Sequence, residues 1–173
     1  MSRPRSIPDS EIFAAVRRLL AADGEKAVAF SAVARATGLA APTLVQRYGS
    51  RDGMLRAALL AAWDDLDATT SAAEAAAPTS GKGALALLKS LGADAADPAD
   101  ISLLAADFRD PALRARATAW RARVETALAN RLGGGTKGRD QAAMLFALWQ
   151  GQALWHAAGG KGFKLKDMLR LLD

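Results

Sequence analysis

Few residues of this chain could make or break bonds. It holds no cysteine and one histidine, His156. A thiolate nucleophile, a thiolate metal site and a disulfide are excluded, and His-based triads or metal clusters are nearly so. The tightest acidic group, Asp64, Asp65 and Asp67, has a spacing that scatters carboxylates around a helix, with no partner in view. An enzyme is not expected and no cofactor is called for.

What the residue types do allow is recognition of a polyanion. The net charge is +5, and residues 1–56 carry nine Lys/Arg against five Asp/Glu, so most of the excess lies in the first third. Within it, residues 31–48 read Ser-Ala-Val-Ala-Arg-Ala-Thr-Gly-Leu-Ala-Ala-Pro-Thr-Leu-Val-Gln-Arg-Tyr. Two short helices that cross steeply need a small residue on the first, a left-handed turn, and inward anchors on both sides. Ala34, Gly38, Leu39 and Leu44 meet those needs in order, with Val33 completing a small core.

The elements that must hold this segment are helical. Ala and Leu dominate, while the chain has only three Ile and five Val. A first helix is expected from Asp9 or Ser10, either able to cap it, with Ile12, Val16, Leu19 and Leu20 on one face. Ser31 is expected to cap a second, Pro42 to open a third ending at Tyr48, and Ser50 to cap a long fourth reaching the 70s. A fifth carries Leu85, Leu88 and Leu91; a sixth Ile101, Leu104 and Phe108; a seventh, started by Asp110-Pro111, the seam Leu113, Ala117, Trp120, Val124, Leu128 and Leu132. The eighth, about 140–158, is apolar on every side from Ala142 to Trp149 and needs cover on all sides, some of it from a second copy. A ninth spans 164–172. That apolar run is eight residues, too short to cross a bilayer, and no signal-peptide h-region follows Arg3 and Arg5, so a cytoplasmic protein with no membrane partner is expected.

With these pieces in place, residues 9–60 resemble the N-terminal domain of the tetracycline-repressor (TetR) family of bacterial regulators. The likeness is carried by Ala34…Gly38-Leu39, Pro42-Thr43-Leu44, Tyr48, and Ser50-Arg51-Asp52 leading into Met54-Leu55. Beyond residue 60 it is architectural, resting on Phe108 to Arg114 and on the eighth helix with Gly151. It implies an all-α fold of about nine helices: a three-helix helix-turn-helix domain, residues 1–52, joined by the long helix to a ligand-binding and dimerisation domain, residues 53–173. The implied function is a DNA-binding transcriptional regulator, a ligand-responsive repressor that binds a palindromic operator as a homodimer.

The resemblance also implies residue roles. The helix from Pro42 to Tyr48 would lie in the major groove, with Ala41, Pro42, Thr43 and Gln46 at the reading surface. Gln46 suits an adenine edge, Thr43 a thymine methyl or a phosphate, and Ser31 a phosphate. Arg51 stands where the family commonly has a phosphate-binding lysine; Arg47, Tyr48, Arg3 and Arg5 are further candidates at the backbone. Ala40 replaces the usual capping residue and Val45 the usual tyrosine, so one cap and one phosphate contact are expected to be lost. In the second domain, Trp63, Phe108, Trp120, Phe146, Trp149 and Gln150 are the candidate contacts for a hydrophobic small-molecule effector, with Gln152 and His156 as nearby polar exceptions. The last two helices would form the dimer interface. The alternative reading is a helical ligand-binding dimer without DNA-binding activity.

Overall fold

The computed structural model describes residues 7–93, 108–157, 159–162 and 164–172. Among them are eight α-helices and no strand: α1 (Asp9–Asp23), α2 (Phe30–Thr37), α3 (Ala41–Tyr48), α4 (Arg51–Ala76), α5 (Gly81–Ala93), α6 (Pro111–Arg131), α7 (Gly135–Ala157) and α8 (Leu165–Leu172). A 3₁₀ turn, Glu25–Ala27, links α1 to α2. Of the helix expected to hold Ile101, Leu104 and Phe108, the first two residues lie outside the described ones, and Phe108 stands in the turn before the helix Pro111–Arg131. The all-α expectation holds.

The chain divides into two compact units, Met1–Asp64 and Asp65–Asp173, and α4 runs from the first into the second. In the first unit, α1 packs on α2 and on the 3₁₀ turn, and α2 packs on α3. Ile12, Val16, Val33, Leu44 and Met54 are fully buried there from their helices, and Val28 from the link between the 3₁₀ turn and α2. In the second unit, α6 and α7 form a hairpin across the three-residue link Leu132 to Gly134, and α5 and α8 pack against that pair. Leu87, Leu88 and Leu91 of α5 meet the α6 seam Leu113, Trp120, Val124 and Leu128 in the core, with Leu145, Phe146 and Trp149 from α7.

Several helix starts differ from expectation. Pro8 occupies the cap position of α1 without a side-chain bond, so neither Asp9 nor Ser10 caps it. Helix α2 begins a residue before Ser31, with Ala29 at the cap, which puts Ser31 inside the first turn. The seventh expected helix starts as foreseen: the Asp110 carboxylate accepts from the Ala112 and Leu113 N–H groups at 2.8 and 3.2 Å. The eighth begins at Gly135 instead of near Asp140, directly after a turn in which Gly133 and Gly134 take positive φ, as Gly135 itself does.

Two arginines of α6 bind the second half of α4. Arg123 donates to the Glu74 carboxylate at 2.8 Å and to the Ser71 hydroxyl at 3.0 Å. Arg131 donates to the Glu74 and Ala77 carbonyls at 2.7 and 3.0 Å, satisfying acceptors that the end of α4 leaves open. Trp120 donates its indole N–H at 2.8 Å to the Thr70 hydroxyl, which in turn donates to the Leu66 carbonyl, so a buried polar pair is fully used.

Candidate nucleic-acid interface and effector region

The helix-turn-helix is built from its smallest residues upward. Gly38 ends α2 in the left-handed region, φ 73°, where a side chain would be strained, and its N–H closes on the Ala34 carbonyl at 2.8 Å. Val33 and Leu44 are fully buried, while Leu39 is half-buried at the turn. With Leu44 inward, Pro42, Val45 and Gln46 are exposed on α3, and Ala41 and Thr43 are half-buried beside them. Ser31 is exposed in the first turn of α2. Ala40 caps α3 without a side-chain bond, as its identity implies.

The cations near α3 already have acceptors. Arg47 donates to the Ile7 carbonyl at 2.9 Å and to the Asp9 carboxylate at 3.3 Å. The Tyr48 hydroxyl donates to the same carboxylate at 2.7 Å, and its ring packs on Phe13 with centroids 5.9 Å apart. Burial, then the Asp9 hydrogen bond and charge, push the Tyr48 phenol up to about 12. Arg51 donates to the Val28 carbonyl at 2.9 Å, the Glu25 carbonyl at 2.6 Å, the Glu25 carboxylate at 3.2 Å and the Asp52 carboxylate at 2.9 Å. Arg47 and Tyr48 thus hold the end of α3 to the start of α1, and Arg51 holds the 3₁₀ turn to the start of α4. Asp9, Glu25 and Val28 have no local signal for these roles, since their partners are 23 to 39 residues away.

Of the candidate effector contacts, Trp120, Phe146 and Trp149 come together in the second unit. Their ring centroids are 5.8 Å (Trp120–Phe146), 5.9 Å (Phe146–Trp149) and 6.5 Å (Trp120–Trp149) apart, and the Arg121 guanidinium lies 5.6 Å over Phe146. Gln150 is half-buried beside Trp149. Phe108 is 46 % exposed in the turn before α6, and Trp63 is buried in the first unit. An open groove of about 690 Å³ in the second unit is lined by other residues, among them Ser71, Glu74, Ala122, Arg123, Thr126 and Asn130.

Several solved structures match this architecture over nearly the whole chain. A TetR-like transcriptional regulator from Rhodococcus sp. RHA1 superposes with a TM-score of 0.72 at 17 % identity, covering 99 % of this chain and 94 % of its own. The fold is that of the TetR-like transcriptional regulators. A second transcriptional regulator from Rhodococcus sp. Rha1 gives a TM-score of 0.73 at 22 % identity, covering 96 % of this chain and 94 % of its own. The multidrug-binding protein EbrR, complexed with malachite green, gives 0.70 at 20 % identity, covering 96 % of both chains. No family model and no curated protein matches the sequence significantly. In this TetR-like fold, α2 and α3 are the helix-turn-helix pair that residues 31–48 lead one to expect.

Proposed function

We propose that the chain is a DNA-binding transcriptional regulator, a cytoplasmic repressor that acts as a homodimer on a palindromic operator and is released by a hydrophobic small molecule. The observation that carries this reading is the exposed side of α3, where Pro42 and Gln46 face outward behind a buried Leu44, in a chain with the TetR-like fold. Ala41, Pro42, Thr43 and Gln46 are the proposed base-facing set, with Ser31 and Tyr48 at the phosphates. Arg51 and Arg47 contribute positive potential and hold the helices that bear the reading surface; any phosphate contact they make shares their guanidinium groups with the acceptors already described.

A homodimer is supported by α7. Met144, Leu154 and Trp155 are exposed, Trp155 by 67 %, and with Ala147 and Gly151 they make a stripe at helical spacing. An effector is supported by the ring cluster Trp120, Phe146 and Trp149, with Gln150 as a polar contact, and by the dye bound to EbrR. Ligand binding would act as a population shift, and α4, shared by both units, is the element through which it would be felt.

The test is anisotropy binding of the purified chain to DNA flanking its own gene, against a scrambled duplex, at two salt concentrations. Binding that is specific and falls with salt is the expected result. Equal binding to both duplexes, followed by failure to enrich any sequence from a random pool, overturns it. One observation favours a ligand-binding dimer that does not bind DNA: both arginines nearest α3 are engaged by acceptors of the chain itself. Salt-sensitive retention on heparin that drops in an Arg47→Ala/Arg51→Ala variant would count against that second reading.

A further inference from the structure

We propose that Val45 reads the C5-methyl group of a thymine, so that α3 selects a half-site with an A·T pair at that position. The inference rests on the DNA-binding reading above and deepens it. Pro42, Val45 and Gln46 stand at positions i, i+3 and i+4 and are all exposed, Val45 by 44 %, so they share the outward surface of α3. None of them is charged. Guanine is read best by a two-pronged Arg or Lys contact to O6 and N7, and cytosine by a carboxylate. The sole cation of α3, Arg47, has its guanidinium on the Ile7 carbonyl and the Asp9 carboxylate, and α3 has no carboxylate at all.

The chemistry left to the outward surface is an amide, Gln46, which pairs with the N6 and N7 edge of adenine, and apolar groups, which meet the thymine methyl. An isolated exposed valine is ordinary on a protein surface. This one sits beside Gln46 on the second helix of a helix-turn-helix, in a segment whose nine Lys/Arg against five Asp/Glu favour a polyanion. Its branched side chain has little rotamer freedom to lose, so a methyl is presented at small entropic cost.

The probe is the duplex that the full chain enriches from a random pool, with copies in which each thymine in turn is replaced by deoxyuridine, which removes only the methyl. One thymine per half-site should weaken binding about fourfold when replaced, roughly the worth of one buried methyl. Val45→Ala should flatten that difference, and Gln46→Ala should leave it standing. Val45→Thr, close in shape with one methyl retained, serves if the alanine variant melts early; the deoxyuridine comparison on the unaltered chain needs no variant. Specific binding indifferent to every deoxyuridine, full sensitivity retained in Val45→Ala, or an enriched half-site without an A·T pair overturns the inference and leaves the DNA-binding reading intact. Failure to enrich any sequence overturns both.

Discussion

Tyr48 is the only tyrosine of the chain, so its phenolate absorbance reports one site. The phenol is pushed up to about 12 by burial first and by Asp9 second. A raised folded pKa means that the neutral form is the one the fold favours. Its contribution is whole below pH 10, the unfolded value, and is lost as pH climbs toward 12. Titration of the folded protein should give a midpoint near 12, and Tyr48→Phe should remove the fall in stability across that window; a midpoint near 10 in folded protein would sink the argument. Arg51 permits a second test at this scale. Lysine keeps the charge but not the planar fork, so Arg51→Lys should cost about 1–2 kcal/mol of thermal stability through the lost Val28 and Glu25 carbonyl contacts. An unchanged melt with weakened DNA binding would instead mark Arg51 as a phosphate contact alone.

At the scale of elements, the helix ends decide most. Asp110 caps α6 through two N–H groups, so Asp110→Ala should lower stability by about 1 kcal/mol, read from urea midpoints. Gly83 in the first turn of α5 faces the Pro78 carbonyl so closely that any Cβ there would run into it. Gly83→Ala should therefore destabilise the second unit by more than the Asp110 cap is worth, and a melt equal to wild type would show that the loop Pro78 to Ser80 can yield. The expected face of α5 was Leu85, Leu88 and Leu91; in the structure Leu87 joins Leu88 and Leu91 in the core and Leu85 is only half-buried. Leu85 and Leu87 both fit an apolar stripe with Leu88 and Leu91, and only the neighbours α6 and α8 choose between them.

For the whole molecule, the consequential surface is the stripe on α7. Met144, Leu154 and Trp155 leave an apolar helix face uncovered in the single chain. Trp155→Glu would place a charge in the proposed dimer seam and should shift sedimentation toward monomer at micromolar concentration, with specific DNA binding weakened in step. A variant that sediments as wild type would move the interface elsewhere. The sequence reading that α7 is apolar all round and needs cover matches this distribution: Ala142, Leu145, Phe146 and Trp149 are buried within the chain, while the opposite side stays open.

Local rules were enough for the helical period, the Gly38 turn, the inward Leu44, the helix start at Asp110-Pro111 and the TetR-like resemblance, because period and turn conformation are settled within a few residues. The same locality explains what escaped. Arg47 and Arg51 look like free basic residues in the sequence, yet their partners Ile7, Asp9, Glu25 and Val28 lie 23 to 40 residues away and meet them only when α1, the 3₁₀ turn and α3 pack. Phe146 and Trp149, three residues apart on one helix, are neighbours by spacing alone, but nothing in the sequence says that Trp120 joins them; the α6–α7 hairpin puts it in contact with both. Which surfaces a helix offers is written in its own residues, but which charges remain available on them is a property of long-range packing, and that is decided only in the folded chain.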